Sequence, residues 1–83
     1  MKTALLTGIT GQDGAYLAKL LLQEGYKVCG TVRDTAHPNL QNLKFLHIED
    51  RVELISTNLL DLSNVIRLLE NMQPNEIYNL EEF

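Results

Sequence analysis

One cysteine, two prolines and two histidines in 83 residues leave little room for several kinds of protein. The single thiol, Cys29, excludes an internal disulfide and suits a reducing cytosol, so a cytoplasmic protein is expected. His37 and His47 have no carboxylate or cysteine partner at metal-ligand spacing, which favours surface or packing roles and no metal. Basic residues are scarce: seven Lys and Arg against eleven Asp and Glu give a net charge of −4. No basic stripe appears, so no nucleic-acid partner is expected. No run approaches the roughly 20 apolar residues that span a bilayer, and the N-terminus already reads as strand rather than leader, so no membrane association is expected. Internal repeats and low-complexity stretches are also missing. What is present is a chain that is 45% hydrophobic, enough for one small domain over residues 1–83. A domain of this size hides only about 60–65% of its unfolded surface, so modest stability is expected.

The strongest signal is Thr7-Gly8-Ile9-Thr10-Gly11-Gln12-Asp13-Gly14, which follows an apolar run and precedes an amphipathic one. Each glycine has a separate task at such a strand-to-helix junction. Gly8 lets the backbone turn sharply, Gly11 has no Cβ to hold off a pyrophosphate, and Gly14 lets the new helix pack closely on the strand behind it. The free N–H groups of the helix's first turn, with its dipole, then face an anion. A turn that serves structure alone would also use glycine, so the context matters. Thr3 to Leu6 form a continuous apolar stretch, as a central parallel strand does. Leu17, Ala18, Leu21 and Leu22 recur at helical spacing on the face begun by Gly14, and Gly25 ends that helix.

The chain reads as alternating strands and helices. Strands are expected at 3–7, 27–33, 52–57 and 76–80, and helices at 12–24 and from Asp61 or Ser63 to Pro74. Segment 34–50 is the least defined; Pro38 can begin a helix there, with Leu40, Leu43 and His47 at near-helical spacing. This order implies half of a Rossmann-type doubly wound parallel α/β sheet, four strands ordered 3-2-1-4 with about three helices. Helices one and two would cover one face and helix three the other. Strand four would be left as an edge although Ile77, Tyr78 and Leu80 read as interior, which invites pairing with a second copy of the chain.

In this architecture the end of strand two selects the cofactor. A carboxylate there takes the ribose hydroxyls of NAD, whereas an arginine attracts the 2′-phosphate of NADP. Thr31-Val32-Arg33-Asp34 carries both signs; Arg33 comes first, which favours NADP over NAD.

Gly-Ile-Thr-Gly-Gln-Asp-Gly-Ala-Tyr-Leu at 8–17 closely resembles the N-terminus of the GDP-mannose 4,6-dehydratases, extended short-chain dehydrogenase/reductase enzymes. The Gln12-Asp13 pair inside the glycine motif is characteristic. Gly25-Tyr26-Lys27-Val28, Gly30, Arg33, Asp61-Leu62-Ser63, Ile66 to Leu69, Gln73-Pro74 and Tyr78-Asn79-Leu80 continue the match. The resemblance implies an NADP-dependent lyase that converts GDP-mannose to GDP-4-keto-6-deoxymannose, towards GDP-fucose or GDP-rhamnose. A hydride would leave the sugar C4, water would be lost across C5 and C6, and the hydride would return to C6. By match, Gly8, Ile9, Thr10, Gly11, Gln12, Asp13 and Gly14 would hold the pyrophosphate and adjoining riboses. Arg33 would face the adenosine phosphate, and Asn58-Leu59 would stand where the family has Asp-Leu against the adenine. Leu80 would fall at the start of the stretch leading to the nicotinamide.

Three departures accompany the match. Asp34 stands where the family usually has a second basic residue, which weakens a 2′-phosphate site. Asn58 replaces the adenine-contacting aspartate, though an amide oxygen can still accept from the adenine amino group. After Asn79-Leu80 the chain reads Glu81-Glu82-Phe83, and the family's catalytic Ser/Thr, Glu and Tyr-x-x-x-Lys lie further on. The chain is therefore expected to bind cofactor without turnover, with no catalytic residue of its own; a non-catalytic assembly module on the same fold is the alternative. Tyr16 and Lys19 are three apart on the first helix, and Tyr16 reads as helix packing. Cys29 reads as a core filler.

Overall fold

The apolar run near the N-terminus forms strand β1 (Thr3–Thr7), at the centre of the sheet in a computed structural model that describes residues 1–33 and 38–80. On one side β1 pairs in parallel with β2 (Lys27–Val32), and on the other with β4 (Glu76–Asn79); β2 also pairs with β3 (Glu53–Ser56). The order is β3-β2-β1-β4, as expected for half of a Rossmann-type sheet. Leu6 is level with Gly30 and Tyr78, and Leu5 with Cys29 and Ile77. Four of the five β1 residues are buried, which explains why β1 reads as a continuous apolar run rather than an alternating one.

Helices α1 (Gln12–Gln23) and α2 (Gln41–Phe45) cover one face. There Ala4 and Leu6 of β1 and Val28 and Val32 of β2 join Ala15, Ala18 and Leu21 of α1 and Leu43, Leu46 and Ile48 from α2 onward in one buried cluster. The small residues on α1 permit close approach to the sheet. Helix α3 (Leu62–Met72) lies on the other face, where Leu68 and Met72 stand across a groove of about 440 Å³ from Thr3, Cys29 and Ile55. The periodicity of α3 was real but its burial is partial. Val65, Leu68, Leu69 and Met72 are half-buried, whereas Leu62 is 72% and Ile66 46% exposed. Full burial of such a side chain is worth roughly 1.5–3 kcal/mol, so this face holds α3 much less firmly than the other holds α1. Ile77 on β4 is 54% exposed, and among the described residues no strand pairs beyond β4, which is the edge.

Helix ends carry local signals. The Asp61 side chain accepts from the Ser63 N–H at 3.0 Å and caps α3. Gly25 adopts φ 87° just after α1. Two further left-handed residues carry side chains: His47 (φ 60°) follows α2, and Gln73 (φ 47°) ends α3 before Pro74. His47 therefore works as part of a helix terminus rather than as a member of an apolar stripe. The expected helix in 34–50 shrinks to five residues and starts at Gln41 instead of Pro38, because the Asn39 side chain accepts from the Gln41 N–H at 3.1 Å and shapes the entry. Strand β2 stops at Val32, one residue short of the expected end.

The amino end of the sheet is tied by a carboxylate. The Tyr26 hydroxyl donates to Glu76 Oε2 at 2.6 Å and the Tyr78 hydroxyl to Oε1 at 2.5 Å. Those bonds, from Tyr26 first, hold the Glu76 carboxyl below its ordinary range. The same bond, with burial and the carboxylate's charge, pushes the Tyr26 phenol up to about 12. Asn75 adds a further tie, its side chain accepting from the Thr3 N–H at 2.8 Å.

Candidate functional site

At the carboxyl end of β1 the chain leaves the sheet through Gly8, whose φ of 72° is the left-handed region that favours glycine. The Gly11 N–H donates to the Gly8 carbonyl at 3.1 Å and closes a tight turn directly under α1. Gly14 sits against that turn: a Cβ there would lie 2.2 Å from the Gly8 oxygen and 2.8 Å from Ile9 Cα. Gly11 differs, since a Cβ there would meet nothing closer than the Gly8 oxygen at 3.4 Å. The fold itself thus demands glycine at 14 but not at 11. What an added Cβ at 11 would take is space beside exposed main chain, the surface an anion must approach.

Gly11 is the residue that caps α1, and among the described residues no side chain caps the helix's first amides. Those N–H groups and the positive end of the helix dipole are available to an anion. Gln12 and Asp13 are exposed beside them and offer an amide and an acceptor for hydroxyl groups. Ile9 behaves otherwise: its side chain is wholly buried, and Gly30 makes room for it, because a Cβ at 30 would lie 2.3 Å from Ile9 Cγ2. Ile9 can serve a ligand only through its main chain. Thr10 is held from α2, where the Asn42 side-chain NH₂ donates to the Thr10 carbonyl at 2.9 Å. Sequence reading missed Asn42, whose contact spans 32 residues and follows no periodicity.

The neighbouring strand ends are fixed around this turn. The Thr7 hydroxyl donates to Asn79 Oδ1 at 2.5 Å and accepts from the Leu80 N–H at 3.1 Å, binding the exits of β1 and β4 together. On the other side Arg33 follows β2 directly and is exposed. Its carbonyl accepts from the Ser56 hydroxyl at 3.2 Å, while the Thr57 N–H donates to the Val32 carbonyl at 2.9 Å. Asn58 Oδ1 accepts from the Leu60 N–H at 3.0 Å, so a local turn engages one of its acceptor positions and leaves the other and the NH₂ group. Leu59 is half-buried and Leu80 is 40% exposed. Arg33 and Asn58 line one open groove. Asp34, His37 and Glu81 to Phe83 lie outside the described residues.

The other candidate groups are placed away from this edge. Cys29 is buried mid-strand; burial first, then the Glu53 carboxylate 3.6 Å from its Sγ, push the thiol pKa up and disfavour the nucleophilic thiolate. Tyr16 is 51% exposed on α1, less packed than expected, beside a groove shared with Asn42 and Phe45. Among the described residues no three His, Cys, Asp or Glu side chains cluster as metal ligands, and no helix is long and apolar enough to cross a membrane.

An uncapped helix N-terminus over a glycine turn, with an arginine one strand away, can hold a diphosphate at the turn and a nucleoside across the ends of β2 and β3. Comparison with known proteins identifies the family. The sequence model of the family described as GDP-mannose 4,6 dehydratase matches residues 5–81. A GDP-mannose 4,6-dehydratase of Vibrio cholerae serotype O1 is 48% identical over 84 residues, covering 95% of this chain and 22% of the relative. One from Yersinia enterocolitica is 45% identical over 85 residues, covering 96% and 23%. The chain thus spans about a quarter of the length of the relatives it matches. Among solved structures, the Bordetella bronchiseptica enzyme WbmH in complex with NAD+ superposes with a TM-score of 0.77 at 28% identity, over 100% of this chain and 26% of that one.

Proposed function

Since the chain belongs to the GDP-mannose 4,6-dehydratase family, we propose that it is the cofactor-binding N-terminal segment of an NADP-dependent enzyme that acts on GDP-mannose. The observation that carries the reading is the pair of glycines with opposite demands. Gly14 is required by packing on Gly8, whereas Gly11 leaves exposed main chain at a helix terminus without a side-chain cap, a surface an anion can approach. The main chain from Gly8 to Asp13 would hold the pyrophosphate. Asp13 would accept from a ribose hydroxyl, Asn58 and Leu59 would meet the adenine, and Leu80 would lie towards the nicotinamide. Arg33, directly after β2, supports NADP over NAD because a guanidinium fork matches a phosphate and offers nothing specific to ribose hydroxyls. When bound, the nicotinamide would supply a reversible hydride acceptor, and the residues of this chain would hold the cofactor's pyrophosphate and adenosine half.

The 83 residues supply no Tyr-x-x-x-Lys, and Tyr16 and Lys19 are three apart on α1, so binding without turnover is the expected behaviour of this chain alone. Titrating the chain into NADPH and NADH and following cofactor fluorescence tests the reading. Saturable binding, tighter for NADPH, supports it; no binding of either up to millimolar concentration overturns it. Conversion of labelled GDP-mannose by the pure chain would overturn the absence of turnover.

A second reading has its own observation. Ile77 is exposed on β4, which among the described residues is a sheet edge, and such an edge pairs readily with another strand. On this reading two copies join through β4, and the cofactor site at the carboxyl edge stays open.

A further inference from the structure

Arg33 is not the sole cation at the carboxyl edge. A groove of about 410 Å³ runs from Arg33 past Ser56 and Asn58 to α3, where Asn64, Arg67 and Asn71 line its far wall. These three fall at i, i+3 and i+7 and so share one helix face. Three asparagines and two arginines line the groove, and among the described residues no carboxylate lines it. Among the described residues neither guanidinium has an ion-pair or hydrogen-bond partner; the salt bridge formed there is Lys27 to Glu53, at 3.7 Å. In a chain of net charge −4, two unpaired arginines on one concave surface are a local excess of positive charge that an anion would relieve.

Placement narrows the anion. Parallel strands lie about 4.8 Å apart, so the exit of β3 is roughly 10 Å from the glycine turn at the exit of β1. A diphosphate at the turn with its nucleoside lying across β2 brings the ribose and base to this groove. We propose that Arg67 is a second cationic contact for the 2′-phosphate of the cofactor's adenosine. It acts from α3 opposite Arg33 and offsets the acidic residue that follows Arg33 in the sequence. The inference rests on the cofactor reading above and adds to it a residue that selects NADP.

The test uses the whole 83-residue chain, with Arg67→Gln, Arg67→Lys and Arg33→Gln variants and four probes: NADPH, NADH, adenosine 2′,5′-bisphosphate and 5′-AMP. Arg67 is exposed, so the substitution leaves the core intact, and far-UV circular dichroism checks this. For a charge-assisted contact partly screened by solvent, Arg67→Gln is expected to weaken NADPH and the bisphosphate about tenfold. NADH and 5′-AMP should stay within about twofold, Arg67→Lys should recover part of the loss, and the salt dependence of NADPH binding should flatten. Equal losses for all four probes, or none, would overturn the inference while leaving the cofactor reading in place. A wild-type chain that binds neither NADPH nor NADH overturns the cofactor reading, and the inference with it.

Discussion

Replacing either of two glycines three residues apart by alanine should have opposite consequences. At Gly14 the new methyl would lie 2.2 Å from the Gly8 oxygen and 2.8 Å from Ile9 Cα, both main-chain atoms that cannot rotate away. Alanine gains about 1 kcal/mol over glycine in a helix interior. Relieving the overlap, however, means shifting α1 off the turn and loosening Ala15 and Ala18 in the core, and overpacking of this kind costs typically 1–3 kcal/mol, more when backbone must move. The expected balance is a loss of about 2 kcal/mol, which in a domain of this size lowers Tm by roughly 8–16 °C. At Gly11, with φ −74° and 3.4 Å of clearance, alanine should keep the fold: it restricts the unfolded chain but caps a helix less well than glycine, so stability should change by no more than about 1 kcal/mol. Its Cβ should nevertheless weaken NADPH binding by tenfold or more. Thermal melts followed by far-UV circular dichroism, paired with cofactor titration, read both quantities. A Gly14→Ala chain that melts with the wild type, or a Gly11→Ala chain that keeps its full affinity for NADPH, would refute the division of tasks.

Four further outcomes are expected. Because Glu76 is held below its ordinary value of 4.5, its contribution to stability is present above that pH and disappears as pH falls through the lowered value. Urea midpoints of wild type and Glu76→Gln should therefore converge in acid, and parallel curves would contradict the clamp. The Tyr26 contribution should persist below pH 10 and be lost as the pH rises through about 12, which Tyr26→Phe should abolish. Asp61→Ala removes the cap of α3 at a cost of about 1 kcal/mol. Since α3 buries no residue fully, hydrogen exchange should show that loss as faster opening of α3 with β1 and β2 nearly unchanged. Ile77→Lys on the exposed β4 edge should abolish concentration-dependent association in sedimentation velocity; association that survives it would locate the contact elsewhere.

The sheet order and the two long helices were legible because their signals are local. A buried run precedes the glycine turn, 3.6-residue spacing marks α1 and α3, and Asp61 and Pro74 punctuate α3. Gly14 was readable for the same reason: its partner Gly8 is six residues away. The features that escaped all depend on contacts distant in sequence. Gly30 is small to accommodate Ile9, Asn42 holds Thr10 from another helix, and Glu76 gathers hydroxyls from Tyr26 and Tyr78. Periodicity also could not tell which apolar residues of α3 would find cover. Leu62 and Ile66 sit at helical spacing with the half-buried ones, yet among the described residues nothing covers them fully. Segment 34–50 misled through Pro38, a good first residue for a helix that here begins three residues later.

The most direct test of a phosphate cradle at the glycine turn is residue-resolved. In an NMR titration of the isotope-labelled chain with NADPH, the amides of Gly11 to Ala15 should show the largest shifts, followed by those beside Arg33 and Asn58. The Glu76 clamp at the opposite end of the sheet should stay still. Saturating shifts confined to the α3 groove or the β4 edge, with the turn amides unmoved, would contradict the central claim.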